Sequence, residues 1–138
     1  MINFYSENDF KLQASKEIAK WISKIIYTEG FEEGEISYIF CNDDYLHKLN
    51  VDFLKHDTLT DIISFDNSIG KQLHGDVYIS TERVQDNAQK YNTLFIDELH
   101  RVIIHGILHY CGFKDKSEEE ASKMRDKEEH ALSQRKFV

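Results

Sequence analysis

The sequence predicts an α+β fold in one small domain, in which a mixed sheet of about four strands is covered by about five helices. The first observation is segment order, because strand-like runs alternate with two helices and three further helices follow them. The second is length, since 138 residues suit a single domain spanning residues 1–138. The third is composition: 41% hydrophobic residues, 30% charged residues and no proline exclude a disordered or collagen-like chain.

Four segments have the pattern of β-strands. The clearest is rich in β-branched and aromatic side chains and is bounded by Gly34 and by Asn42. A weaker alternation predicts a short first strand, and two later runs are joined by a turn around residues 66–70, which predicts a hairpin. The predicted strands are residues 2–5, 35–41, 61–65 and 74–80.

Five segments have helical periodicity. Apolar residues at helical spacing run from Leu12 and stop at Gly30, where a helix C-terminus is expected. A short helix follows the second strand, and Asp43 or Asp44 is expected to cap it. The remaining helices are predicted at residues 81–91, 96–111 and 117–134.

Charge and cysteine content narrow the class of protein. The formal net charge of −8 disfavours the simplest kind of nucleic-acid binder, because Lys and Arg normally supply affinity for phosphate. Residues 101–138 are the exception, with 8 basic and 7 acidic groups. Only Cys41 and Cys111 are present and residues 1–5 do not resemble a signal peptide, so we expect a reduced, cytoplasmic protein. The apolar stretches are far shorter than the ~20 residues of a membrane span.

The segment from His105 to Asp115 carries the clearest chemical signal. On a helix, His105 and His109 project from the same face about 5 to 6 Å apart, so two imidazoles can bind one metal ion. Gly112, just past the last turn, can adopt a left-handed conformation and turn the chain back, which makes Asp115 a third ligand. Two His and one carboxylate are a normal set for catalytic zinc, with water in the fourth position. We therefore expect one zinc ion per chain at His105, His109 and Asp115.

Each of these residues also has a simpler interpretation. Two His four residues apart are often unrelated, Gly112 alone is most often a helix cap, and Asp115 can begin the next helix. In that helix, Ser117 and Glu120 have the form of a capping box. The spacing as a whole is typical of metzincin zinc sites, whose third ligand is usually His. However, Gly106 stands where zinc peptidases have their general-base Glu, which disfavours peptidase activity. An iron(II) triad uses the same ligand types, but the helical spacing disfavours it.

At these residues the sequence resembles the YbeY family of bacterial rRNA maturation factors, whose hallmark is His-Gly-x-Leu-His-Leu-x-Gly-Tyr-Asp-His. The matching residues are His105, Gly106, Leu108, His109 and Gly112, with Phe113 for the Tyr. Further matches upstream are Leu49-Asn50, residues 60–65, Gly75-Asp76-Val77 and Glu98-Leu99. The motifs lie in the family's order from residue 49 to residue 115.

The resemblance implies a metal-dependent, single-strand-specific endoribonuclease that matures the 3′ end of 16S rRNA and acts in ribosome biogenesis. The implied partners are single-stranded RNA and ribosomal particles, without DNA or a membrane. Asp115 replaces the family's third His, which keeps a ligand but changes its charge, and Asp66 replaces a Pro in a turn. Leu54 stands at the position of the family's Arg. The adjacent Lys55 is the candidate substrate-binding residue, although Lys offers a point charge instead of a bidentate fork.

The sequence identifies no catalytic side chain in addition to the water expected on the metal. The general-base candidates by type are His74, Asp61, Asp76 and Glu98, the first three with structural alternatives in a turn, a strand end and a sheet edge. Glu98, seven residues before His105, either orients a ligand or is a surface charge. Four strand aromatics either stack on bases or belong to the core: Tyr38, Phe40, Phe65 and Tyr78.

Three functions follow from these residues. The leading one is a zinc-dependent endoribonuclease of rRNA processing. The second is a ribosome-assembly factor that binds RNA or protein and holds a mainly structural metal, which the acidic charge and the missing Arg favour. The third is a small metallohydrolase acting on another substrate.

Overall fold

The computed structural model describes residues 1–138 and confirms the predicted α+β class. Every predicted element is present, with boundaries that differ by a few residues. The strands are β1 (Ile2–Ser6), β2 (Glu32–Cys41), β3 (Ile62–Asp66) and β4 (Gln72–Ser80). The helices are α1 (Ser15–Thr28), α2 (Asp43–Leu54), α3 (Thr81–Lys90), α4 (Phe95–Tyr110) and α5 (Glu118–Ser133). None of these helices combines the length and apolar character required to cross a membrane.

The four strands form one mixed sheet in the order β1-β2-β4-β3. Strand β2 pairs in parallel with both β1 and β4, whereas β3 runs antiparallel to β4. The predicted hairpin is confirmed by a register that runs from Ile62 opposite Ile79 to Asp66 opposite Gly75. Strand β3 is therefore an edge strand, and the segment that leads into it lies at the border of the sheet.

The main core lies on one face of the sheet, under α1 and α4. Alternate residues of β2 and β4 point into it, because successive strand side chains face opposite sides. Tyr38 and Phe40 belong to this core, and the Tyr38 hydroxyl donates to the Ile103 carbonyl at 2.8 Å. Phe65 and Tyr78 lie instead against α2 in a smaller cluster and are only partly buried. Burial therefore rules out base stacking for Tyr38 and Phe40 only.

Helix α4 is the element that positions the candidate site. It is buried over most of its length, and His105 and His109 are among the few residues on its partly exposed side. At Gly106, an added Cβ would lie 3.2 Å from Ile62 and 3.3 Å from Val77. The glycine therefore lets α4 approach β3 and β4 closely, beside the two histidines.

The predicted cap of α2 is wrong. The N-cap residue is Asn42, whose side chain makes no capping hydrogen bond, and the Asp43 N–H donates to Glu82 Oε1 at 2.8 Å. The Asp43 carboxylate instead accepts a hydrogen bond from the Ser80 hydroxyl and pairs with Arg83, both at 2.7 Å. The Asp43 carboxylate is thus bound by residues at the start of α3. This contact between two elements cannot be read from the local sequence.

Candidate metal centre

The structure brings together the three predicted metal-binding residues. The Asp115 Oδ2 atom lies 3.2 Å from His105 Nε2 and 3.4 Å from His109 Nε2. One donor atom from each residue lies within 4.8 Å of the other two. Two imidazole nitrogens and a carboxylate oxygen at this separation can hold one metal ion, with a position left for a further ligand.

The turn after α4 places Asp115 next to the two imidazoles. Gly112 adopts a φ of 96°, and its N–H donates to the His109 carbonyl at 3.0 Å. The Phe113 N–H donates to the Leu108 carbonyl at 3.1 Å, which completes a Schellman motif and reverses the chain. The predicted role of Gly112 is confirmed.

Asp115 does not begin the next helix. Helix α5 starts at Glu118 with Ser117 as its N-cap. The predicted capping box is present: Ser117 Oγ accepts from the Glu120 N–H, and Glu120 Oε1 accepts from the Ser117 N–H, both at 3.0 Å. The alternative interpretation of Asp115 as a helix-start residue is therefore wrong.

A second layer of hydrogen bonds orients both imidazoles. His105 Nδ1 lies 2.6 Å from Glu128 Oε2, and His109 Nδ1 lies 2.9 Å from the Phe113 carbonyl oxygen. Since both partners only accept, each Nδ1 carries the proton. Both Nε2 atoms are thereby directed at Asp115, in the arrangement that oriented metal-binding histidines commonly adopt.

Glu128 is a functional residue that sequence reasoning missed. It lies on α5, 23 residues after His105, and is 5% exposed. Its other oxygen accepts from Arg101 Nη1 at 3.0 Å, and Arg101 also pairs with Glu129. No local motif links residues 105 and 128, so only the packing of α5 on α4 shows the contact.

Charges around His105 favour its protonated form. Burial lowers the pKa of His105, but the hydrogen bond and charge of Glu128, assisted by Asp115 and Asp61, outweigh burial and raise it. Burial likewise raises the pKa of Glu128, yet His105 and Arg101 outweigh it, so the pKa of Glu128 is lowered. A metal ion at this site would therefore compete with a proton for the imidazole of His105.

A cleft of about 260 Å³ opens beside His105 and Asp115. Asp61 and Glu98 line it, and burial raises the pKa of both carboxyls. Glu98 fits neither the ligand-orienting role nor the surface charge, and its general-base role stays a prediction. It is 7% exposed, so it is not a surface charge, and it makes no hydrogen bond to either imidazole. It lies about two turns from His105 along α4, beside Arg101, whereas α5 supplies the carboxylate that reaches His105.

The remaining candidates lie elsewhere. His74 is in β4 and not in a turn, and its Nδ1 accepts the Glu35 N–H at 3.0 Å. Asp76 is also within β4 and does not line the cleft. Lys55 ends α2 with a φ of 58° and donates to the Asp52 carbonyl at 3.3 Å. Neither Leu54 nor Lys55 lines the cleft, so the contacts do not bring Lys55 to the metal centre.

Comparison with known proteins identifies the class. The sequence profile of a family described as Endoribonuclease YbeY matches residues 2–136. A protein of Christiangramia forsetii named Endoribonuclease YbeY is 59% identical over 96% of this chain and 92% of its own length. One of the same name from Flavobacterium johnsoniae is 53% identical over 96% of each chain.

A solved structure agrees with these sequence matches. The solution structure of a Thermotoga maritima protein matches with a TM-score of 0.64 and 27% identity, over 96% of this chain and 90% of the other. The class is thus that of the endoribonucleases, hydrolases that act on RNA. Within that class, the chain belongs to the YbeY family.

Proposed function

We infer that this chain is a zinc-dependent endoribonuclease that cleaves single-stranded RNA in rRNA processing. The observation that carries the inference is the convergence of His105 Nε2, His109 Nε2 and Asp115 Oδ2 within 4.8 Å in a member of an endoribonuclease family. The donor set favours zinc, since imidazole nitrogen and carboxylate oxygen are its usual ligands in hydrolases. Residues 1–138 form the single hydrolase domain of this proposal.

The residues of the site have separate roles in this proposal. Zinc at such a site supplies a Lewis acid and lowers the pKa of water toward neutrality. Glu128 and the Phe113 carbonyl hold the two Nδ1 protons, so that both Nε2 atoms stay available as ligands. Asp61 and Glu98 face the cleft and are the candidates for proton transfer at their carboxyl oxygens, because burial raises their pKa.

The proposed substrate is the rRNA precursor, cut near the 3′ end of 16S rRNA, and the proposed partner is the ribosomal particle. Both assignments are supported by the family resemblance. The proposed location is the bacterial cytoplasm. The free thiols of Cys41 and Cys111 are consistent with this reducing compartment.

The test combines metal analysis with RNA cleavage. Purified protein supplied with zinc should hold about one zinc ion per chain and should cut single-stranded RNA until a chelator is added. His105→Ala and His109→Ala should lose both zinc and cleavage. Well-folded, zinc-supplied protein without bound metal would contradict the proposal, as would cleavage that is unchanged by chelator or in His109→Ala.

A second function is favoured by the net charge of −8 and by Leu54 at the position of the family's Arg. Under this alternative, the chain is a ribosome-assembly factor whose metal is structural. Clean, zinc-loaded protein would then bind ribosomal particles without cutting RNA.

A further inference from the structure

We propose that Arg125 binds a phosphate group of the RNA strand in the cleft beside the metal centre. This inference rests on the proposed function and deepens it, because it assigns a substrate-binding residue to the site. Arg125 is assigned this role by its position, by its lack of a protein partner and by the charge of the cleft around it.

Arg125 shares the cleft with the candidate metal ligands. The cleft has a volume of about 260 Å³, and its lining includes His105, Asp115 and Arg125. Arg125 stands three residues before Glu128 on α5, so the two project from the same side of the helix. Glu128 contacts His105 from this side of α5. Arg125 therefore lies about one helical turn from Glu128, on the side of α5 that lines the cleft.

Arg125 is the cation of this cleft that is free to bind a ligand. The other one, Arg101, is held by Glu128 and Glu129. Arg125 is exposed and its side chain makes no hydrogen bond or ion pair with the protein, although its charge partly offsets the burial that raises the pKa of nearby Glu98. A guanidinium group presents a planar fork of donors that matches two phosphate oxygens.

The surrounding charges favour a phosphate that arrives together with a metal ion. The cleft is lined by four acidic residues: Asp61, Glu98, Asp115 and Glu128. Arg101 and Arg125 are its two basic residues, so the formal charge of the lining is two minus four, or −2. A divalent cation brings this charge to zero, and a polyanion can then approach Arg125. RNA binding at Arg125 should therefore depend on zinc loading.

The experiment compares charge variants of the zinc-loaded, full-length protein on a short fluorescein-labelled single-stranded RNA. Arg125→Gln should raise KM for cleavage and Kd for binding roughly tenfold with a smaller effect on kcat, and Arg125→Lys should be intermediate. The slope of log Kd against log salt should fall by about 0.7 in Arg125→Gln, the value for one phosphate contact on a single strand. Zinc affinity should be unchanged.

Lys20→Gln is the matched control. Lys20 is an exposed cation on α1 that has no ion pair and lines a different cavity, next to Trp21. An equal loss of RNA affinity in Lys20→Gln and Arg125→Gln would overturn the proposal, because net charge alone would then explain it. Reduced zinc affinity in Arg125→Gln would also overturn it.

The experiment distinguishes failure of the proposed nuclease function from failure of the proposed role of Arg125. If zinc-loaded wild-type protein binds the RNA without cutting it, the nuclease proposal fails, and the Kd values of the variants still decide the role of Arg125. If zinc-loaded wild-type protein binds no RNA, both proposals fail.

Discussion

Asp115 supplies the one anionic group among the candidate metal ligands. Its carboxylate lies 3.2 and 3.4 Å from the two Nε2 atoms. Asp115→Ala should therefore lower zinc affinity at least about tenfold, whereas Asp115→His should retain zinc because imidazole is also a good ligand. Since imidazole is neutral, Asp115→His should also shift the acidic limb of the pH–rate profile to lower pH. Zinc titration and pH–rate profiles test both variants, and full zinc affinity in Asp115→Ala would show that Asp115 is not a ligand.

We predict that Glu128 acts on the candidate metal centre through His105, as a positioning residue. Glu128→Gln keeps the size of the side chain but removes the charge that holds the Nδ1 proton, so zinc affinity should fall roughly 10- to 100-fold. Competition with a chromophoric chelator measures this, and the melting temperature checks that the variant is folded.

Glu129→Gln is the control for Glu128→Gln. It removes the same charge from the same helix and from the same Arg101, but Glu129 makes no contact with His105. Its zinc affinity should stay close to the wild-type value. If both variants lose zinc affinity equally, the effect is one of net charge and the positioning role is wrong.

At the level of elements, the turn after α4 links helix geometry to the metal centre. Gly112 has a φ of 96° and open space around its Cα, so an added Cβ strains only the backbone. Gly112→Ala should cost about 1 kcal/mol of stability. It should also weaken zinc binding, because the same turn places Asp115 and the Phe113 carbonyl that holds His109.

Gly30→Ala separates these two effects. Gly30 follows α1 with a φ of 85°, and its surroundings are also open. Thermal unfolding should show a similar loss of stability in both variants, and zinc titration should show weaker binding only in Gly112→Ala. Unchanged zinc affinity in Gly112→Ala would separate the turn from the metal centre.

Elements were predictable from sequence where one local rule decides them. Apolar periodicity identified α1, a capping box identified the start of α5, and a glycine identified the turn after α4. The prediction for Asp43 is wrong because Ser80 and Arg83 compete for its carboxylate from another element. The Glu128 contact depends on how α5 packs against α4, which no local pattern specifies.

At the scale of the whole molecule, the strand order decides which predicted side chains meet. The sequence indicates that strand aromatics alternate between two faces, but it does not show which face the long helices cover. Because β2 and β4 are central and α1 and α4 cover one of their faces, Tyr38 and Phe40 are buried in the main core. The three candidate metal ligands do not depend on the strand order, because they all lie on one helix and the turn that follows it.

His100 connects the main core to the C-terminal segment and should make global stability depend on pH. It is 1% exposed, and its ring packs against the rings of Trp21 and Phe137. Its Nδ1 accepts a hydrogen bond from Arg135 Nη1 at 2.8 Å. Burial, assisted by the charge of Arg135, lowers the pKa of His100 to about 4. In the unfolded chain, the pKa of this imidazole returns to about 6.5.

The sign of the effect follows from these two pKa values. Between pH 6.5 and 4 the unfolded state binds a proton that the folded state does not, so this contribution to stability is complete above pH 6.5 and is lost as the pH falls. The loss reaches up to about 3 kcal/mol at pH 4. Urea unfolding of metal-free protein at a series of pH values measures it without a contribution from zinc release. His100→Gln should show a shallower fall in the free energy of unfolding over this range, whereas substitution of the exposed His56 by Gln should leave the wild-type slope. An equal slope in His100→Gln and wild type would mean that His100 does not couple protonation to unfolding.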